Sequence, residues 1–116
     1  MDPKKANAAF PELFAKIQDV LFRYDPSGLF SIGAPKDEHD DSVYKIISLL
    51  RYIRSLEEVP GILHKTMGGW LAENPQASEE MWVLMAPEIW EAWQIFLKKA
   101  EATVYSTNDE QEPTRS

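Results

Sequence analysis

Apolar residues recur three and four positions apart through most of this chain, which is the spacing of a helix with one buried face. Phe10, Leu13, Phe14, Ile17, Leu21 and Tyr24 form the first such stripe. Pro11 suits a first helical position, where its missing N–H costs nothing, and it biases Phe10 away from helix. The pattern predicts a helix over 11–23, with residues 6–9 as a preceding turn. Asp25-Pro26-Ser27-Gly28 carries turn chemistry that stops it. The segment 29–36 then reads as an ordered loop, with Leu29, Phe30 and Ile32 expected to tuck into the core.

A second stripe, Val43, Ile46, Ile47, Leu50 and Ile53, predicts a helix capped at Asp40 or Asp41, with Arg51 and Arg54 on the favourable end of its dipole. Ser55-Leu56-Glu57-Glu58 is a capping-box pattern and opens a helix over 56–67, with Val59, Ile62, Leu63 and Met67 inward. Pro60 offers an alternative first position for it, and Gly68-Gly69 is expected to end it. Ser78 then caps a short helix over 79–85. Pro87 should kink or break that helix, with a longer one following over 87–102. On the longer one Ile89, Trp93, Phe96 and Ala100 share a face, broadened by Trp90 and Leu97. Residues 106–116 carry almost nothing apolar and are expected to be a disordered acidic tail. The expected fold is all-α: a single-domain bundle of four or five helices over 1–105, followed by that tail.

Composition narrows the function classes. With 116 residues, 44% hydrophobic and 27% charged, the chain has room for one globular domain. Cysteine is absent, so disulfides, thiolate catalysis and cysteine-bound metal are excluded. No apolar run approaches the ~20 residues of a membrane span, and no apolar run follows Lys4-Lys5 to suggest a signal peptide. A soluble, cytoplasmic protein that does not act on membranes is the expectation. A net charge of −7 disfavours nucleic acid and would speed encounter with a basic protein.

The run Asp37-Glu38-His39-Asp40-Asp41 gathers four carboxylates and an imidazole. Its spacing is not that of a calcium loop, and a helix N-terminus already explains acidic residues there. His39 and His64 stand apart, without the spacing of a zinc site, and are read as surface or partly buried. No nucleophile elbow, phosphate loop or dinucleotide fingerprint occurs. A protein that is not an enzyme, with no metal and no cofactor, is expected. Aromatic residues are the richer signal: Trp70, Trp82, Trp90 and Trp93 lie in the second half with Met81, Met85 and Phe96. Trp93 and Phe96 read as core. Trp82 and Trp90 have neighbours, Met81, Leu84, Met85 and Ile89, that compete for the same inward directions, which leaves them as an expected docking surface. The candidate partner-binding residues are therefore Asp37, Glu38, Asp40, Trp82 and Trp90.

Two segments, Tyr24-Asp25-Pro26-Ser27-Gly28-Leu29 and Gly33-Ala34-Pro35-Lys36-Asp37-Glu38-His39-Asp40, resemble a theme of small helical bacterial proteins. Those proteins carry an aromatic-Asp-Pro-x-Gly-Leu segment, then Pro-x-Asp-Glu-Tyr-Asp and an amphipathic helix. Some are encoded beside polymorphic or contact-dependent toxins and are thought to be immunity proteins. Tyr24 stands here where tryptophan is commoner, and His39 where tyrosine is. The resemblance spans residues 24–50 and leaves out the tryptophan-rich third. It implies a non-enzymatic protein that binds and neutralises a cognate toxin, with a basic toxin domain as the partner. A helical adaptor or regulatory subunit is the alternative, ahead of a small metal-binding protein or enzyme.

Overall fold

The structure, a computed structural model, describes the backbone over residues 3–73 and 79–111 and the side chains over 4–68 and 80–101. Five helices follow one another: α1 (Pro3–Ala9), α2 (Pro11–Tyr24), α3 (Asp40–Leu50), α4 (Val59–Glu73) and α5 (Glu79–Gln111). Single turns of 3-10 helix stand at Phe30–Ile32 and Leu56–Glu58. The described elements are all helical, as the apolar spacing predicts.

The hinge between α1 and α2 comes from Pro11. Phe10 sits at φ −133°, outside the helical region, as a residue before proline must. Its N–H still bonds to the Ala6 carbonyl at 2.9 Å, and Ala6 is buried. The expected turn at 6–9 is thus the end of a two-turn helix. Helix α2 buries Leu13, Phe14, Ile17, Val20 and Leu21, the predicted stripe with Val20 added. Helix α3 buries Val43, Ile46, Ile47 and Leu50. The capping box is formed: the Glu58 carboxylate accepts from the Ser55 N–H at 3.1 Å and from the Arg54 N–H at 2.7 Å.

Four boundaries differ from expectation. Helix α3 ends at Leu50, so Ile53 and Arg54 lie beyond it, Arg51 is its C-cap, and its last turn carries no basic residue. His39, not Asp40 or Asp41, is the N-cap of α3, and both aspartates lie in its first turn. Helix α4 does not end at Gly68-Gly69 but continues to Glu73. Each glycine costs a helix only about 1 kcal/mol, a bias that the packing of the fully buried Val59, Leu63 and Met67 can outweigh. Pro87 does not break α5, which runs as one helix through it. Pro87 and Val83 are both exposed, so the carbonyl left without an N–H partner is on the water-facing side. Helix α5 is drawn to Gln111, and residues 112–116 of the expected tail lie outside the described residues.

Helix α5 packs most extensively on α2 and α4, and the buried side chains form one contiguous cluster. Trp82 is at its centre with only 2% of its surface exposed, beside the fully buried Met85 and Ile89 in sequence. The expectation of an exposed Trp82 is therefore overturned, because Trp82, Met85 and Ile89 share a helix face instead of competing for it. Trp93 is buried too, and stacks on Phe96 with ring centroids 5.5 Å apart. Trp70 lies outside the residues whose side chains are described.

The indole Nε1–H of Trp82 is buried with no acceptor among the described residues. Trp82→Ala should cost about 3–5 kcal/mol of unfolding free energy. Trp82→Phe should cost clearly less, since it keeps most of the apolar contact and removes the unbonded donor, itself a burden of about 1–3 kcal/mol. Urea unfolding followed by circular dichroism compares the two; equal losses would show that the indole N–H is bonded in solution.

Candidate functional site

The loop from α2 to α3 is built by the polar residues of the Asp25-Pro26-Ser27-Gly28 turn. Asp25 ends α2 in the left-handed region, at φ 48° and ψ 56°, and its N–H bonds back to the Leu21 carbonyl. That turn aims its carboxylate at the following 3-10 turn. One oxygen accepts the Phe30 N–H at 3.1 Å and the other the Ser31 N–H at 3.0 Å. Gly28 takes φ 77°, a region only glycine enters freely, and its carbonyl accepts the Ser31 hydroxyl at 2.8 Å.

Ser27 and His39 close the loop from inside. Both are buried, and Ser27 Oγ lies 2.6 Å from His39 Nε2. Ser27 Oγ also accepts the Leu29 N–H at 3.3 Å, and with two lone pairs it can either accept from or donate to Nε2 according to the imidazole tautomer. The Phe30 ring meets the imidazole edge-on, 5.3 Å between centroids. Burial pushes the His39 pKa below its ordinary value, against the opposing pull of the Glu38 and Asp25 carboxylates. His39 is thus a buried clamp and not the surface or half-buried residue expected, whereas His64 is exposed. Asp25, Ser27 and His39 have the residue types of a hydrolytic triad, but both Asp25 oxygens hold backbone N–H groups and Ser27 is shut from solvent. The cluster explains loop cohesion.

That clamp sets out the acidic run. Asp37, Glu38 and Asp41 are exposed, and none of them forms an ion pair among the described residues. Asp40 is half-buried and occupied internally, accepting from the Gln18 side chain of α2 at 2.8 Å. Ile32, expected in the core, is 80% exposed at the turn, while Leu29 and Phe30 are half-buried. Trp90 is half-buried against the core and Trp82 is fully enclosed. The five candidate residues therefore divide. Asp37 and Glu38 face solvent together, Asp40 braces α2 against α3, and the two tryptophans belong to α5 and its packing.

A second surface, along the seam of α2 and α5, has no counterpart among the expected residues. Arg23 reaches Glu88 at 2.5 Å and Asp19 at 2.7 Å, and Lys99 pairs with Glu12. Lys36 adds a looser contact to Asp19 at 3.7 Å. Arg23 and Tyr24 hold the Glu88 carboxyl below its usual range, and the Arg23 guanidinium does the same to Asp19. The sequence signal was available: Glu12, Lys16, Asp19 and Arg23 alternate in sign at helical spacing. No group of His, Asp and Glu suited to a metal ion occurs among the described residues, and none of their helices is long and apolar enough to cross a membrane. Comparison of the chain with protein-family models, with curated proteins and with solved structures finds no match.

The clamp carries a pH dependence. The unfolded chain takes up a proton at His39 near the ordinary histidine value, while the native imidazole resists it until lower pH. Stability should thus be level above about pH 6.5 and fall as the solution is acidified below it. Thermal melts of wild type and His39→Gln across that range measure it, and the slope should shrink in the variant. Asp25→Ala, which deletes two charge-assisted bonds and strains a left-handed position, should cost about 2–4 kcal/mol at neutral pH.

Proposed function

We propose that the protein is a non-enzymatic binding module that engages a basic surface of another protein, and that its partner is a bacterial toxin which it silences. The observation that carries this reading is the presentation of Asp37, Glu38 and Asp41. Three exposed carboxylates form no ion pair among the described residues; Asp37 and Glu38 project from a loop fastened by the Asp25 carboxylate and the Ser27–His39 bond, and Asp41 from the first turn of α3 that follows it. Unpaired charge on a held backbone favours recognition, because little ordering is left to do at the moment of contact. The chain's net charge of −7 adds long-range attraction to a basic partner. The resemblance of residues 24–50 to small helical proteins found beside toxin genes supports the finer step, from partner protein to toxin.

The same loop explains why the reading is one of docking. Its polar interior is spent on holding the backbone, and its acidic exterior is left for a second molecule. Trp90, half-buried on α5 against the core, offers only part of its apolar area. Trp82 takes no part, being enclosed.

Co-expression with the product of the neighbouring gene tests the proposal, with recovery of a complex and protection of the cells as the expected results. The double reversal Asp37→Lys with Glu38→Lys should slow association about tenfold at low salt, less as salt rises, and leave the melting temperature within a few degrees. Absence of protection by the wild-type protein would overturn the toxin reading. Unchanged association of the reversed variant would remove the acidic loop from the interface.

A further inference from the structure

The turn that follows Asp25 holds one apolar side chain out of the fold. The N–H groups of residues 30–34 are all hydrogen-bonded within the loop. Phe30 and Ser31 donate to the two oxygens of Asp25, Ile32 and Ala34 to the Leu29 carbonyl, and Gly33 to the Phe30 carbonyl. The backbone is thus fixed on both sides of Ile32. Its side chain is nevertheless 80% exposed, more than any other large apolar residue described. A lone exposed apolar residue is commonplace on a protein surface, and a turn of this kind is served as well by serine, asparagine or aspartate. Ile32 is set apart by its surroundings. The Phe30 ring of the same turn meets the partly exposed Phe22 at 4.9 Å on one side and His39 at 5.3 Å on the other. The second contact brings the turn beside Glu38 and Asp37, which precede His39 in the chain. Lys36, the basic residue of the loop, lies over Phe22 and 3.7 Å from Asp19, on the α2 side.

We propose that Ile32 is the anchor of the interface at which the acidic loop meets its partner, seated in an apolar socket of a protein surface whose lysines or arginines face Asp37 and Glu38. The inference rests on the basic-partner reading given above and supplies what that reading lacks. Exposed carboxylates govern mainly how fast two proteins meet, whereas a buried apolar side chain governs how long they stay together. A standard contact covers about 800 Å² on each partner, a patch roughly 30 Å across. A partner over Asp37 and Glu38 therefore also covers a turn whose Phe30 ring touches the next residue, His39. Because the backbone at Ile32 is already held, little ordering is left to oppose the contact. A second copy of this chain, with its net charge of −7, would bring like charge to the same place, so the socket belongs to a different, basic protein.

The test uses the purified protein and the product of the neighbouring gene, with association and dissociation followed by surface plasmon resonance. Ile32→Ala should raise Kd about tenfold, almost all of it through faster dissociation, and equally at low and high salt. Asp37→Lys with Glu38→Lys should act on association instead, and less as salt rises. Ile32→Leu, which conserves the volume, should bind more tightly than Ile32→Ala. The melting temperature of Ile32→Ala should stay within about 2 °C of wild type, because so exposed a side chain supports no core. A complex that Ile32→Ala forms as tightly as wild type, or weakens only through slower association, would remove Ile32 as the anchor and leave the acidic-loop reading standing. A neighbouring product that does not bind the wild-type protein at all would overturn that reading and the anchor with it.

Discussion

The alignment of α2 against α5 is the constraint on which the rest of the fold depends, because α5 joins the N-terminal helices to α4. Burial supplies the force. Ile17 and Ile89 are completely buried, with Leu13, Phe14, Val20 and Leu21 on one side and Trp82 and Met85 on the other. Each such side chain contributes about 1.5–3 kcal/mol, whereas an exposed ion pair contributes about 0–1 kcal/mol. The ion pairs at the two ends of the seam therefore do not hold the helices together. They add a modest penalty against slipped registers, which the close packing of the buried faces already disfavours. A slip of one turn would carry Glu12 to the level of Ile95 and Arg23 to the level of Leu84, and both pairs would be lost. The aliphatic faces set the strength of the contact, and the charged rims reinforce its position.

Once α2 is placed, the loop that follows it is nearly determined. The left-handed residue at its end is Asp25, whose short carboxylate can reach the next N–H groups from that conformation. Those bonds seat Phe30 over Phe22 and against the edge of His39, with centroid distances of 4.9 and 5.3 Å. His39 in turn begins α3, so the start of one helix is tied to the end of another through side chains. Gln18 and Asp40 repeat the tie on the helix surface. The acidic residues 37 and 38 sit between these anchors.

Much of this was legible in the order of residues. The stripes of α2 and α3 read directly as buried faces, and the Ser55–Glu58 capping box was found in its place, since both signals are local. What failed was each inference that took a local preference as final. Pro87 signals a break, but the lost hydrogen bond falls on the wet side of α5 where water can serve the carbonyl. Gly68-Gly69 signals a stop, but the cost is small beside the burial of Met67. Asp40 has the chemistry of a cap, yet its carboxylate is taken by Gln18, a residue from another helix. The Ser27–His39 bond was hidden because two residues on a loop give no periodic signal before the turn brings them together. Trp82 misled for a different reason: its many apolar neighbours suggested crowding, while helical angles place Trp82, Met85 and Ile89 together on one buried face.

The two segments that carry the resemblance to immunity-type proteins can now be weighed residue by residue. Asp25 holds two backbone N–H groups, Gly28 takes a positive φ, and Ser27 binds the side chain at position 39. Each has a structural reason to be what it is, so in this chain the two segments form a bracket between α2 and α3. In the proposed function, specificity for one partner over another would rest on Asp37, Glu38 and Asp41, which are exposed beside the bracket and take no part in its hydrogen bonds.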